Sequence, residues 1–220
     1  VQVVNFLRFD LQYQVENGPS GVKAVDLYVT RDAGKTWTRW SQHDGRESPL
    51  KVALDTQFNP RPEGEYGFRL VPVSGAGLSD GPPAAGSPPE LRLRVDVTAP
   101  FVEVYRPTAD PNQRNALVLN WKATDDNFGR DPIAIDWSET PTGPWKPVSA
   151  GDGLVPVAGG VPARLPNTGT YTWHLPTGMT AHQVCLRFTA TDAAGNRSEV
   201  VTPPVLVDLT KPRAKVLGIL

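Results

Sequence analysis

Two short stretches and a few scattered side chains hold the residues best equipped for chemistry. In Thr30-x-Asp32-x-Gly34-x-Thr36-Trp37 a carboxylate, a glycine, a hydroxyl and an indole fall within eight positions. A carboxylate so placed can accept hydrogen bonds from turn amides. The glycine can take φ > 0 without a Cβ clash, and the indole can bury its ring. All these tasks are structural, so Asp32, Gly34, Thr36 and Trp37 are expected to build a turn. Gly77-Leu-Ser-Asp-Gly81 matches the G-x-S-x-G pattern of a nucleophilic serine. That pattern needs a strand before it, a helix after it, and a histidine and an acid nearby. Pro82-Pro83 follows here, so Ser79 is expected in a turn and not as a nucleophile. His43, His174 and His182 include no i, i+4 pair, and Cys185 is the one cysteine, so zinc is not expected.

The 220 residues are 39% hydrophobic and 20% charged, enough for a buried core and unlike a disordered chain. A net charge of −1 offers no polycationic surface, so nucleic acid and anionic membrane are not expected partners. No apolar run approaches the roughly 18–20 residues of a membrane span. Val1–Leu7 lacks the basic start and the length of a signal peptide. The expectation is a segment of a longer protein whose targeting signal lies elsewhere. One cysteine precludes an intrachain disulfide. The 20 glycines and 23 prolines point to many short strands joined by turns.

Internal repetition sets the organisation. Val95-Asp-Val-Thr-Ala-Pro-Phe-Val-Glu-Val104 returns as Val207-Asp-Leu-Thr-Lys-Pro-Arg-Ala-Lys-Val216, a period of about 112 residues or roughly one β-sandwich. Each copy reads as a strand, Thr-x-Pro, and a new strand, and the proline marks where one sheet ends. The expected division is residues 1–97, with no evident first strand, then 98–210, then 211–220 as the start of a further repeat or a tail. Apolar residues alternate in 7–15, 117–123 and 133–137. They also alternate at Tyr66, Phe68 and Leu70, and at Val184, Leu186, Phe188 and Ala190. Period two means strands with one buried face, and no stretch sustains a 3.6-residue period, so the class is all-β. Cys185 falls on the opposite set with Arg187 and Thr189 and is expected as an isolated thiol on the outer sheet face.

The second repeat resembles a fibronectin type III or bacterial immunoglobulin-like module. Leu117–Asp126 is similar to its strand B with core Trp121. Ile133–Val148 is similar to strand C, the C–C′ turn and strand C′. Leu175–Glu199 is similar to the E–F corner, strand F and the F–G turn. The first repeat matches the last part through Tyr66–Asp80, with Tyr66 placed like the family's corner tyrosine and Val184 standing there in the second. The resemblance implies two tandem antiparallel β-sandwiches. Separately, Thr30–Trp37 resembles the Asp-box of sialidases and related β-propellers. A propeller needs several copies at blade spacing. Here there is one, and the equivalent turn of the second repeat, Thr140–Trp145, keeps glycine and tryptophan but has no aspartate. The implied element is a C–C′ hairpin turn.

The same topology would gather the B–C loop (Asp125, Asp126, Asn127, Asp131) and the F–G loop (Asp192, Asn196) at one pole, where the strand after Asp96 enters. Asp96, Asp125, Asp126, Asp192 and Asn196 are therefore the candidate calcium ligands, since calcium takes roughly 6–8 oxygens in flexible geometry. Trp137, Trp145 and Trp173, with Trp37 and Trp40, fall on or near hairpin strands. Exposed and coplanar, such rings could stack on sugars; otherwise they are packing residues. The expected function is non-catalytic: a structural or protein-interaction segment of a larger, exported or cell-surface bacterial protein. Its partners would be other domains of the chain or other proteins. An accessory carbohydrate-binding segment of a secreted glycoside-active enzyme is the alternative.

Overall fold

The computed structural model describes residues 1–16, 18–44, 48–58, 60, 62–113, 115–148, 164–176, 179, 182–207 and 215. They form two compact units. Unit 1 comprises Val1–Thr98 with Ala193–Asn196, and unit 2 comprises Ala99–Asp192 with the described residues of Arg197–Leu220. The repeat's second copy beyond Val207, and the expected further repeat at 211–220, lie outside the described residues apart from Lys215. No helix among the described residues is long and apolar enough to cross a membrane.

Unit 1 runs β1 (Gln2–Val4), β2 (Arg8–Leu11), β3 (Val22–Thr30), β4 (Thr38–His43), β5 (Leu50–Ala53), α1 (Leu54–Gln57), β6 (Gly64–Ser74) and β7 (Leu91–Val95). One sheet has the order β1-β7-β6-β3-β4, and β2 pairs with β5 in a second. Period-two patterning explains the arrangement. Leu27 and Val29 of β3, Tyr66 and Phe68 of β6, and Leu93 and Val95 of β7 share one buried face with Leu50 and Val52 of β5. A first strand is present after all: β1 pairs in parallel with β7, from Gln2↔Leu93 to Val4↔Val95. The alternation over residues 7–15 becomes a strand only over Arg8–Leu11, because β5 offers four partners and no more. Tyr66 buries its ring against Phe58 and Phe68, and its hydroxyl donates to the Pro62 carbonyl at 2.5 Å, so the polar tip of the ring is satisfied inside the fold.

Unit 2 contains β8 (Phe101–Val104), β9 (Thr108–Ala109), β10 (Ala116–Thr124), β11 (Phe128–Ser138), β12 (Lys146–Pro147), β13 (Thr170–His174), β14 (Gln183–Asp192), β15 (Arg197–Val201) and β16 (Val205–Leu206). One sheet has the order β13-β10-β8, with β9 also on β10. The other has the order β12-β11-β14-β15, with β16 also on β14. Their facing sides hold Leu117, Leu119, Trp121, Ile135, Trp137, Trp173, Leu186 and Phe188. Both units are thus all-β and sandwich-like, and among the described residues the strand pairing is antiparallel apart from β1–β7. The repeat aligns physically: Val95 closes the core of unit 1 and Val207 that of unit 2.

The expectation for Cys185 needs correction. It does lie outside the core cluster, on the set opposite Leu186, yet it is only 1% exposed. The outer face of this sheet is itself buried, since Asp136 is 4% exposed and Ser138 and Thr189 are buried beside it. Arg187 donates to Asp136 Oδ2 from Nε at 3.2 Å and from Nη2 at 2.8 Å, and its guanidinium sits 4.7 Å from the Trp145 ring centroid. Charge pairing and cation–π stacking let this polar face pack instead of facing water. Arg187→Ala would leave Asp136 buried and uncompensated, so unit 2 is expected to lose about 3 kcal/mol. Chemical denaturation monitored at the core tryptophans measures this, and a loss below about 0.5 kcal/mol, the size of an exposed pair, would contradict the packing role.

Candidate functional site

The Asp32 turn connects β3 to β4 and gathers five side-chain hydrogen bonds among the described residues. The Thr30 hydroxyl donates to Asp32 Oδ1 at 2.7 Å and accepts from the amides of Gly34 at 2.9 Å and Asp32 at 3.3 Å. Asp32 Oδ1 also accepts from the Thr36 amide at 2.9 Å, and Oδ2 accepts from the Thr36 hydroxyl at 2.7 Å. These bonds hold the Asp32 carboxyl at a pKa of about 2; the Thr36 hydroxyl is the largest cause, followed by the Thr36 amide and the Thr30 hydroxyl. Gly34 has φ +97°, and a Cβ there would lie 2.1 Å from the Ser87 carbonyl oxygen. The Gly86 amide donates to the Gly34 carbonyl at 2.7 Å, so the β6–β7 connection docks onto this turn. Trp37 packs its ring edge beneath Gly34 and is half-buried.

Chemically, this carboxylate is committed. Both of its oxygens accept hydrogen bonds from the turn, and its low pKa makes it a poor general acid or base near neutrality. Thr30, whose hydroxyl organises the turn, was legible only as the first letter of the motif. The docking segment Gly86–Ser87 had no sequence signal.

The other candidates are dispersed. Ser79 accepts from the Gly81 amide at 3.3 Å and lines a cleft of about 300 Å³ with Glu16, Pro72, Leu78 and Asp80, among which no histidine stands. His43 ends β4, and its Nδ1 lies 2.9 Å from the Tyr13 hydroxyl. His174 Nε2 lies 2.6 Å from Gln113 Oε1. His43 and His174 are thus engaged separately.

Of the proposed calcium ligands, unit 2 brings carboxylate oxygens of Asp125 and Asp192 within 4.8 Å of one another. Asp125 Oδ1 accepts from the Asn127 amide at 2.7 Å, and Asp126 is exposed and stands apart from that approach. In unit 1, Asp96 Oδ1 accepts from the Thr98 amide at 3.1 Å, and the Asn196 side-chain amide donates to the Asp96 carbonyl at 2.8 Å.

The sugar-stacking platform does not form from the residues named for it. Trp137 and Trp173 are core residues, 7% and 1% exposed, with ring centroids 5.8 Å apart and planes tilted by 40°. Trp121 is buried with its Nε1 donating to Asn167 Oδ1 at 3.0 Å, and Trp145 stacks on Arg187. The physical reason is area: large rings stabilise most when buried.

No model of a known protein family matches the chain, and no curated protein sequence matches it.

The turn yields a prediction with a definite sign. Because folding depresses the Asp32 carboxyl, its contribution is present above the unfolded pKa near ~3.9 and is lost as pH falls towards 2. Asp32→Ala should lower the melting temperature at pH 7, and the gap from the parent chain should close between about pH 4 and pH 2. Gly34→Ala, with its positive φ and its clash with Ser87, should cost more, about 2–4 kcal/mol. Calorimetric melts across this pH range measure both, and a gap for Asp32→Ala that stays constant down to pH 2 would contradict the assignment.

Proposed function

We propose that this chain is a non-catalytic segment, built from fibronectin type III or immunoglobulin-like modules, that presents surfaces for protein contact within a larger exported or cell-surface bacterial protein. The observation that carries the reading is the consumption of its candidate chemical groups by structure. The Asp32 carboxylate is spent on its own turn, and Ser79 has no histidine in its cleft. The Tyr66 hydroxyl bonding back to Pro62 has the form of the corner characteristic of immunoglobulin-like sandwiches and supports the module type. Sandwiches of this kind act by holding loops and sheet edges in place for partners.

The test is turnover. Incubated at high concentration with chromogenic glycosides, esters, phosphomonoesters and peptides, the chain is expected to give rates equal to buffer. Turnover that survives repurification and disappears in Asp32→Ala or Ser79→Ala would overturn the reading in favour of an enzyme. Soluble polysaccharides are expected to leave tryptophan fluorescence unchanged, because the rings of the proposed platform are buried or stacked within the fold.

Calcium is the second reading, favoured by the approach of Asp125 and Asp192 within unit 2. Two carboxylates supply a minority of the roughly 6–8 oxygens that calcium takes. Calorimetric titration with millimolar calcium tests this reading, which the absence of a saturable heat overturns. A saturable heat abolished by Asp192→Asn would establish the cation.

A further inference from the structure

We infer that unit 2 carries a docking groove for a short extended peptide segment of a partner protein, one that brings an apolar side chain next to a carboxylate. The inference rests on the interaction reading above and gives it a location.

Prolines create the groove. The Tyr105 amide donates to the Asn120 carbonyl at 3.0 Å; Arg106 and Pro107 then leave the ladder before β9 rejoins β10. In the opposite sheet Thr202 is anchored to β14: its amide donates to the Leu186 carbonyl at 2.8 Å, and its hydroxyl accepts from the Leu186 amide at 3.0 Å. Pro203 and Pro204 lack N–H groups, so pairing resumes only at β16. The two interruptions line one cavity of about 440 Å³, walled by Val104, Pro107, Pro204, Val205 and Leu206.

Three independent features mark this cavity as a place for a partner. Every large hydrophobic that unit 2 exposes among its described residues lies on β8, β15, β16 or the notch: Phe101 at 56%, Tyr105 at 45%, Val201 at 38% and Leu206 at 61%. Of these, Tyr105 and Leu206 line the cavity itself, and exposed apolar surface at a groove is characteristic of interaction sites. Next, among the described residues β8 is the last strand in the order β13-β10-β8, and on that side its outer edge offers backbone donors and acceptors to an incoming extended chain. Finally, Arg106 lines the cavity, is exposed, and forms no ion pair with another described residue.

Those features together specify the occupant. The open edge selects an extended backbone, and the apolar walls select an aliphatic or aromatic side chain. The guanidinium, which has no ion-pair partner among the described residues, selects a carboxylate, with which it can form a charge-assisted bidentate pair. The prolines end the edge at Tyr105, which keeps the paired segment short and blocks indefinite strand addition. A sugar is disfavoured because Tyr105 is the one aromatic ring lining the cavity.

The experiment titrates the isotope-labelled 220-residue chain with two synthetic octapeptides, one alternating leucine with glutamate and one alternating leucine with lysine, followed by amide chemical shifts. The glutamate peptide is expected to give saturable shifts confined to Val102, Val104, Tyr105, Arg106, Thr202, Val205 and Leu206. Arg106→Glu, a change at an exposed side chain, should weaken it by about tenfold or more, the loss of one charge-assisted contact. The inference is overturned by absence of saturable shifts, by equal binding of the lysine peptide, or by an unchanged Arg106→Glu. Shifts at the same amides that grow with the concentration of the chain alone would also overturn it, since the occupant would be a second copy. Failure here leaves the non-catalytic reading standing, whereas turnover in the substrate panel overturns that reading whatever the peptides do.

Discussion

The constraint on which the account depends is the commitment of the Asp32 carboxylate to its own turn. A hairpin that joins two strands of a sandwich must reverse the chain and still satisfy its amides. Thr30 and Asp32 solve this jointly, the hydroxyl taking the Asp32 and Gly34 amides and the carboxylate taking Thr36. With the turn set, Gly34 presents its carbonyl to Gly86 and leaves no room for a side chain beneath Ser87. The β6–β7 connection is thereby fixed, and with it the start of β7, whose Leu93 and Val95 close the core of unit 1. One anion, held low in pKa by three donors, links local chemistry to the packing of the sheet.

Unit 2 solves the same problem with other chemistry. Its turn from Thr140 to Trp145 has no aspartate; the Thr140 hydroxyl donates to the Gly143 carbonyl at 2.6 Å, Gly143 takes φ +94°, and Trp145 stacks on Arg187. Where unit 1 has Tyr66 bonded back to Pro62, unit 2 has a buried Val184 paired with Val205 of β16, and the Val207 amide donates to the His182 carbonyl at 2.9 Å. A hydrogen-bonded ring is replaced by an extra strand segment. The two modules therefore keep one architecture while exchanging the polar contacts that hold it. This is why a motif visible in one repeat can fade in the other without loss of fold.

The class of the fold was legible because period-two alternation at Tyr66–Leu70, Leu117–Ala123 and Val184–Ala190 reports a buried sheet face directly. The hairpin at Asp32 was legible for a similar reason, since aspartate, glycine and tryptophan at those spacings have few other uses. Four things escaped. The parallel strand β1 is three residues long and pairs with a strand about ninety positions away, a contact no local pattern encodes. Cys185 was placed on the correct face, but alternation does not say that Asp136 and Arg187 make that face a packed one. The tryptophans read equally well as core or as platform, and only the opposing sheets of unit 2 decide that Trp137 and Trp173 meet inside. The groove beside Arg106 depends on two proline interruptions coming level across opposite sheets, which is a tertiary coincidence and not a motif.

The measurement that bears most directly on the central claim is a carbon-detected NMR titration of the Asp32 carboxyl between pH 1.5 and 6, roughly the range in which aspartates protonate. If the carboxylate is committed to Thr30 and Thr36, its midpoint falls at about 2 and the Thr36 amide shift follows the same curve. A midpoint near the ordinary ~3.9, with a Thr36 amide indifferent to it, would show a free carboxylate and would contradict the structural assignment of the turn.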